Sequence, residues 1–104
     1  MVVDLAKLRA WLGVPATVVD DDALQQVLDA ELTIQARACT VPPEPEPAPD
    51  LVQAVYRRVG REIAAKGVPL GLLGVESEFG PARLSQFDAE IERLEASRRK
   101  VVFG

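Results

Sequence analysis

Histidine is absent from these 104 residues and cysteine occurs once, so the two side chains most used for soft metal ligation and imidazole catalysis are almost missing. Cys39 has no second thiol for an intrachain disulfide and no imidazole to share a zinc ion. Placed at the end of an apolar helix, it reads as a small core residue. No stretch approaches the ~20 consecutive apolar residues of a membrane span. The opening MVVDLAKLRA lacks a signal-peptide layout, so folding in a cytoplasm is expected, with no membrane partner. Without histidine a general base has to be a carboxylate of raised pKa, and the one candidate pair, Glu76 and Glu78, shares one face of an extended loop with nothing else to support chemistry. A phosphate-cradling Gly-x-x-x-x-Gly-Lys and a Gly-x-Ser-x-Gly elbow are both lacking. The chain is expected to be no enzyme and to need no cofactor.

What is present is one modest hydrophobic core: 48% of residues are apolar and 27% charged, in a chain sized for a single domain. A domain this small buries only roughly 60–65% of its unfolded surface, which makes subunit contacts a natural source of further stability. Charge is uneven. Residues 1–50 carry 3 basic and 9 acidic side chains, net −6, whereas residues 51–104 carry 9 basic and 7 acidic, net +2.

Apolar spacing predicts a mainly α fold, a small four-helix domain spanning residues 1–104. Val3, Leu5, Leu8, Trp11 and Leu12 define a first helix of about nine residues, capped by Asp4 and ended by Gly13 and Pro15. Asp22 and Gln25 form a capping box for a second helix, in which Leu24, Leu28 and Leu32 stack with Val27 and Ile34 beside them, running to about Cys39. Residues 42–49, PPEPEPAP, are expected to form an extended connector, a strut on the order of 25 Å that crosses the molecule without a turn. Asp50 and Gln53 repeat the box before a third helix with the stripe Val52, Val55, Tyr56, Val59 and Ile63. Gly60 inside it points to a close helix crossing.

Arg57, Arg58 and Arg61 lie opposite that stripe as a basic face, solvated with an Arg58–Glu62 pair or else turned to acidic neighbouring subunits or nucleic acid. Residues 67–84 form a Gly-rich apolar loop carrying Leu70, Leu72, Leu73, Val75 and Phe79, which needs cover from its own fold or a neighbour. Ser85 and Asp88 box the start of a fourth helix with Phe87, Ile91 and Leu94 inside and a Glu95–Arg99 pair outside. The chain closes on Arg98, Arg99, Lys100, Val101, Val102 and Phe103, a basic and then apolar tail over about 98–104.

The run LRAWLGVPATVVDDDALQQVLDAE has the cadence of a helix-turn-helix. Its second helix opens on Asp20, Asp21 and Asp22 and would repel phosphates, which counts against a small DNA-binding regulator. A cytoplasmic helical interaction module is a further alternative.

In their order along the chain, LRAWLGVP with DDALQQVLDAE, APDLVQAVYRRVGREIA, LGVESEFGPARLSQFDAEIERL and the terminal RRKVVFG make the sequence resemble the head-tail connector (adaptor) proteins of long-tailed bacteriophages, over nearly its whole length. The resemblance implies a mainly helical structural protein of the virion neck, made in the host cytoplasm. Such proteins assemble as a homo-oligomeric ring, commonly of twelve subunits, on the portal protein, and receive stopper or tail-completion proteins. Genomic DNA passes through the ring without sequence-specific binding. Carried onto this chain, the resemblance assigns portal docking to the fourth helix and Arg98, Arg99, Lys100, Val101, Val102 and Phe103. Subunit-interface candidates are Arg57, Arg58, Arg61, Leu72, Leu73, Phe79, Asp20 and Asp21. The opposed charges of the two halves suit head-to-tail contacts between unlike faces.

Overall fold

The computed structural model describes residues 1–67 and 80–100. Four helices carry the fold, in agreement with the mainly α expectation: α1 (Leu5–Leu12), α2 (Asp21–Ala38), α3 (Pro49–Ala65) and α4 (Gly80–Glu95), the last followed by a single 3-10 turn, Ala96–Arg98. The long apolar stripe of α3 puts that helix at the centre, packed against each of the other three.

Both ends of α1 follow from local chemistry. The Asp4 carboxylate accepts from the main-chain N–H groups of Ala6 and Lys7, which have no partner within the helix. Gly13, at φ 67°, closes the helix in the left-handed region and donates to Arg9 O. The start of α2 differs from expectation. Any of three successive aspartates could cap it, and Asp20 does so through Ala23 N, leaving Asp22 inside the first turn, where its charge still meets the positive helix end.

Proline fixes two further boundaries ahead of the expected ones. Pro49 occupies the first turn of α3, where its missing N–H costs nothing, so the helix starts before Asp50 and lacks a side-chain cap. Asp50 instead holds Arg98 Nε at 2.9 Å. Pro81 allows α4 to begin at Gly80, upstream of the box expected at Ser85 and Asp88. The Gly-rich segment is accordingly shorter than 67–84. Leu72, Leu73 and Phe79, together with Leu70, Val75, Glu76 and Glu78, lie outside the described residues.

The connector is not a straight strut. One of its few N–H groups, that of Glu46, closes a tight turn on Pro43 O at 2.9 Å, with a cis peptide between Glu44 and Pro45. The segment folds back under the N-terminus, whose amino group donates to Pro42 O.

The main core joins Leu8, Leu12, Leu24, Leu28, Val55, Val59, Ile63 and Phe87. Trp11 tilts against Tyr56 and Phe87 at centroid distances of 5.8 and 6.4 Å, and the Arg57 guanidinium lies 5.2 Å from the Trp11 ring. Cys39 is fully buried in a smaller cluster with Ala48 and Leu51, as a small core residue should be. Ile34, expected beside the apolar stripe of α2, is 44% exposed.

The start of the C-terminal tail is part of the body. Arg98 O accepts from Thr40 N, Lys100 N donates to Ala38 O, and Cys39 and Arg99 form an antiparallel bridge, so the chain is stitched to the end of α2. Lys100 Nζ adds a bond to Ala36 O. Arg98, Arg99 and Lys100 are thereby tied to this domain, and Val101, Val102 and Phe103 lie outside the described residues.

Candidate functional site

The three arginines of α3 are spent within the chain. Arg57 pairs with Glu90 at 2.6 Å, Arg61 with Asp88 at 2.6 Å, and Arg58 with Glu95 at 2.6 Å. The expected solvated face with an Arg58–Glu62 pair does not form. Arg58 is only 6% exposed, and Glu62 meets Lys66 instead. The Glu95–Arg99 pair is present at 3.3 Å, but Glu95 is fully buried rather than on the outside of α4.

Glu95 is the centre of a buried network. It accepts two hydrogen bonds from Arg58, one from Gln35 Nε2 at 3.0 Å and one from Arg99. Gln35 Nε2 also reaches Leu51 O, so α2, α3 and α4 are pinned at one point. Burial alone pushes the Glu95 carboxyl up, but the donated hydrogen bonds of Arg58 and Gln35 and the charges of Arg58 and Arg99 outweigh it and hold the carboxyl below its ordinary value. The same surroundings, burial first, push the Cys39 thiol up and make it a poor nucleophile.

The pairing reduces the charge contrast between the two halves. Asp50, from the acidic half, takes Arg98 from the basic one, while Asp21 pairs with Arg9 at 2.7 Å and Asp20 caps α2. Asp21 nevertheless remains 73% exposed in its side chain. On α2 the acidic residues Asp21, Asp22, Asp29 and Glu31 stand against a single cation, Arg37.

A groove of about 470 Å³ runs along α2 where the C-terminal end of α3 meets it. Its α2 wall is made by Ala23, Val27, Ala30 and Ile34 with Gln26 beside them, and Glu62 of α3 and Lys66 at its end border it. The i, i+4, i+7, i+11 spacing of that wall is an apolar helix stripe of its own, about 100° around from the buried one. Glu31, on the edge of the buried stripe nearest this wall, lines the groove yet is only 6% exposed. Among the described residues its Oε1 receives no hydrogen bond; Arg61 is 3.8 Å away and donates to Asp88 instead. Gln35 Oε1 and Asp50 Oδ1 are also without donors among the described residues, but Gln35 is anchored through its amide and Asp50 through its other oxygen.

Burial pushes the Glu31 carboxyl above its ordinary value of 4.5, against the opposing charges of Arg61 and Arg58. The folded chain therefore holds this proton more tightly than the unfolded one. Its contribution to stability is full below pH 4.5 and is lost as pH rises through the raised value. Glu31→Gln should raise stability at pH 7 by about 1 kcal/mol and flatten this part of the profile, measured by urea denaturation from pH 4 to 8.

Sequence periodicity carried signals for these polar residues. Glu31 and Gln35 continue the buried Leu24–Leu28 stripe at 4-3-4 spacing, and Glu95 follows Phe87 and Ile91 at four-residue steps. Among the described residues no cluster of three potential ligands for a metal ion occurs, and no helix is long and apolar enough to cross a membrane. Comparison with known proteins finds no matching family model, curated protein or solved structure.

Proposed function

We propose that the chain is a non-catalytic assembly protein, a ring-forming head-tail adaptor that docks on a phage portal, receives stopper or tail proteins and leaves a passage for DNA. The observation that carries the assembly part is the groove of α2: a mostly apolar wall and a buried carboxylate without a hydrogen-bond donor among the described residues, set in a domain whose α3 arginines are all paired internally. Such a surface fits a protein partner better than a nucleic acid. The α2 face that a helix-turn-helix regulator would place in a groove of DNA presents Asp21, Asp22 and Asp29, which opposes phosphate binding. The adaptor role itself rests on the resemblance of the ordered segments to phage connectors.

Co-expression with the portal protein of the same genome, followed by light scattering and electron microscopy of the purified material, tests this reading. The expected product is a portal carrying a ring of this chain, with no shift of duplex DNA in a low-salt mobility assay. Specific duplex binding without any portal complex would replace the adaptor with the regulator.

A further inference from the structure

We propose that the α2 groove seats a second copy of this chain, which lays the outer side of its α4 along the groove and brings Arg93 beside the Glu31 carboxylate. The inference rests on the assembly reading above and names the contact that would propagate the ring.

The groove asks for two things from its occupant. The wall of Ala23, Val27, Ala30 and Ile34 is shallow at both alanines, so another helix can approach closely. A cation is favoured beside the Glu31 carboxylate, because the groove holds a second carboxylate, Glu62, and the one cation bordering it among the described residues, Lys66, is already paired with Glu62. The segments 68–79 and 101–104 of this chain contain no lysine or arginine, and Arg83 is the one cation whose side chain is not among those described.

Among the described side chains, seven cations are held in ion pairs within the chain, and Lys100 Nζ is taken by Ala36 O. Lys7, Arg37 and Arg93 are left. Arg37 belongs to α2 itself, and two copies of α2 facing each other would oppose their acidic residues. Lys7 stands on the eight-residue α1, too short to follow a wall that rises about 16 Å from Ala23 to Ile34. Arg93 stands exposed on the 16-residue α4, between the exposed Ala89 four residues before it and the exposed Ala96 of the following 3-10 turn, three after it. A small–arginine–small stripe on a helix of that length matches a small–large wall with one buried carboxylate. Groove and stripe occupy different helices, so the contact can repeat head-to-tail, the kind that closes into rings.

Two measurements on the full chain decide it. In sedimentation over rising concentration, Glu31→Lys and Arg93→Glu should each weaken self-association about 30-fold or more, and the double variant should restore it, whereas Lys7→Glu should leave it unchanged. An Ala30→Cys chain mixed with an Ala89→Cys chain should form a mixed disulfide, with Cys39 buried and silent. Absence of that crosslink both in the free chain at ~1 mM and in a portal-bound ring overturns the contact. So does weakening by Lys7→Glu in place of Arg93→Glu. A portal-bound ring without the crosslink removes this contact and leaves the adaptor reading in place. A crosslinked oligomer that no portal accepts keeps the contact and removes that reading.

Discussion

Glu95→Ala will lower the folding stability of this protein by about 3–5 kcal/mol, the largest effect expected of a single substitution. The alanine leaves the Arg58 guanidinium, only 6% exposed, with no carboxylate to neutralise it, and strips the Gln35 amide of one of its two acceptors. Because small domains hold only about 5–15 kcal/mol in total, the variant should be close to unfolding at 37 °C. Urea denaturation followed by circular dichroism gives the loss directly. Arg58→Met with Glu95→Leu should recover most of it, since replacing both charges with apolar groups of similar volume removes the burial cost along with the attraction. A loss below about 1 kcal/mol for Glu95→Ala would mean that the network is solvated, against its geometry.

The same residue sets an acid limit. Its carboxyl releases its proton more readily when folded, so the stability it contributes is present above the ordinary value of 4.5 and is lost as pH falls through the depressed one. Glu31 slopes the opposite way, over a window above 4.5. Glu95→Gln and Glu31→Gln should therefore flatten opposite ends of one stability profile.

Removing residues 98–104 is the second large effect, an expected loss of about 3 kcal/mol. The deletion takes away two main-chain bonds to the end of α2 and the Lys100 Nζ bond, at about 1 kcal/mol each. The partly exposed Arg98–Asp50 pair adds at most about 1 kcal/mol. Removing 101–104 alone touches none of these bonds. If the longer deletion abolishes portal attachment and the shorter one does not, the loss follows from the damaged body. If the shorter one suffices, Val101, Val102 and Phe103 themselves make the contact. Thermal melts beside a portal pull-down distinguish the two, and a longer deletion as stable as the full chain would remove the stitching from the account.

The sequence alone displayed a tail separate from the core because the last apolar stripe ends at Leu94, and hydrogen bonding by main-chain atoms of Arg98 and Lys100 leaves no trace in residue type. The α2 cap was legible only to within three aspartates, each chemically able to do the work. The basic face of α3 was legible as a set of arginines and misread as a surface, since an arginine looks the same in sequence whether it faces water or a buried glutamate.

Four helices, the caps at Asp4 and Gly13 and the central stripe of α3 were determined by the sequence itself, because each depends on neighbours no more than about four residues away. The fate of the charges was decided only in three dimensions. Arg58 meets Glu95 across 37 positions and Gln35 meets it across 60, whereas Glu31 is buried by the same packing that leaves one of its oxygens without a donor among the described residues. A helix can be read from its own turns, but whether a buried charge is neutralised depends on which distant residue the fold brings within 3 Å.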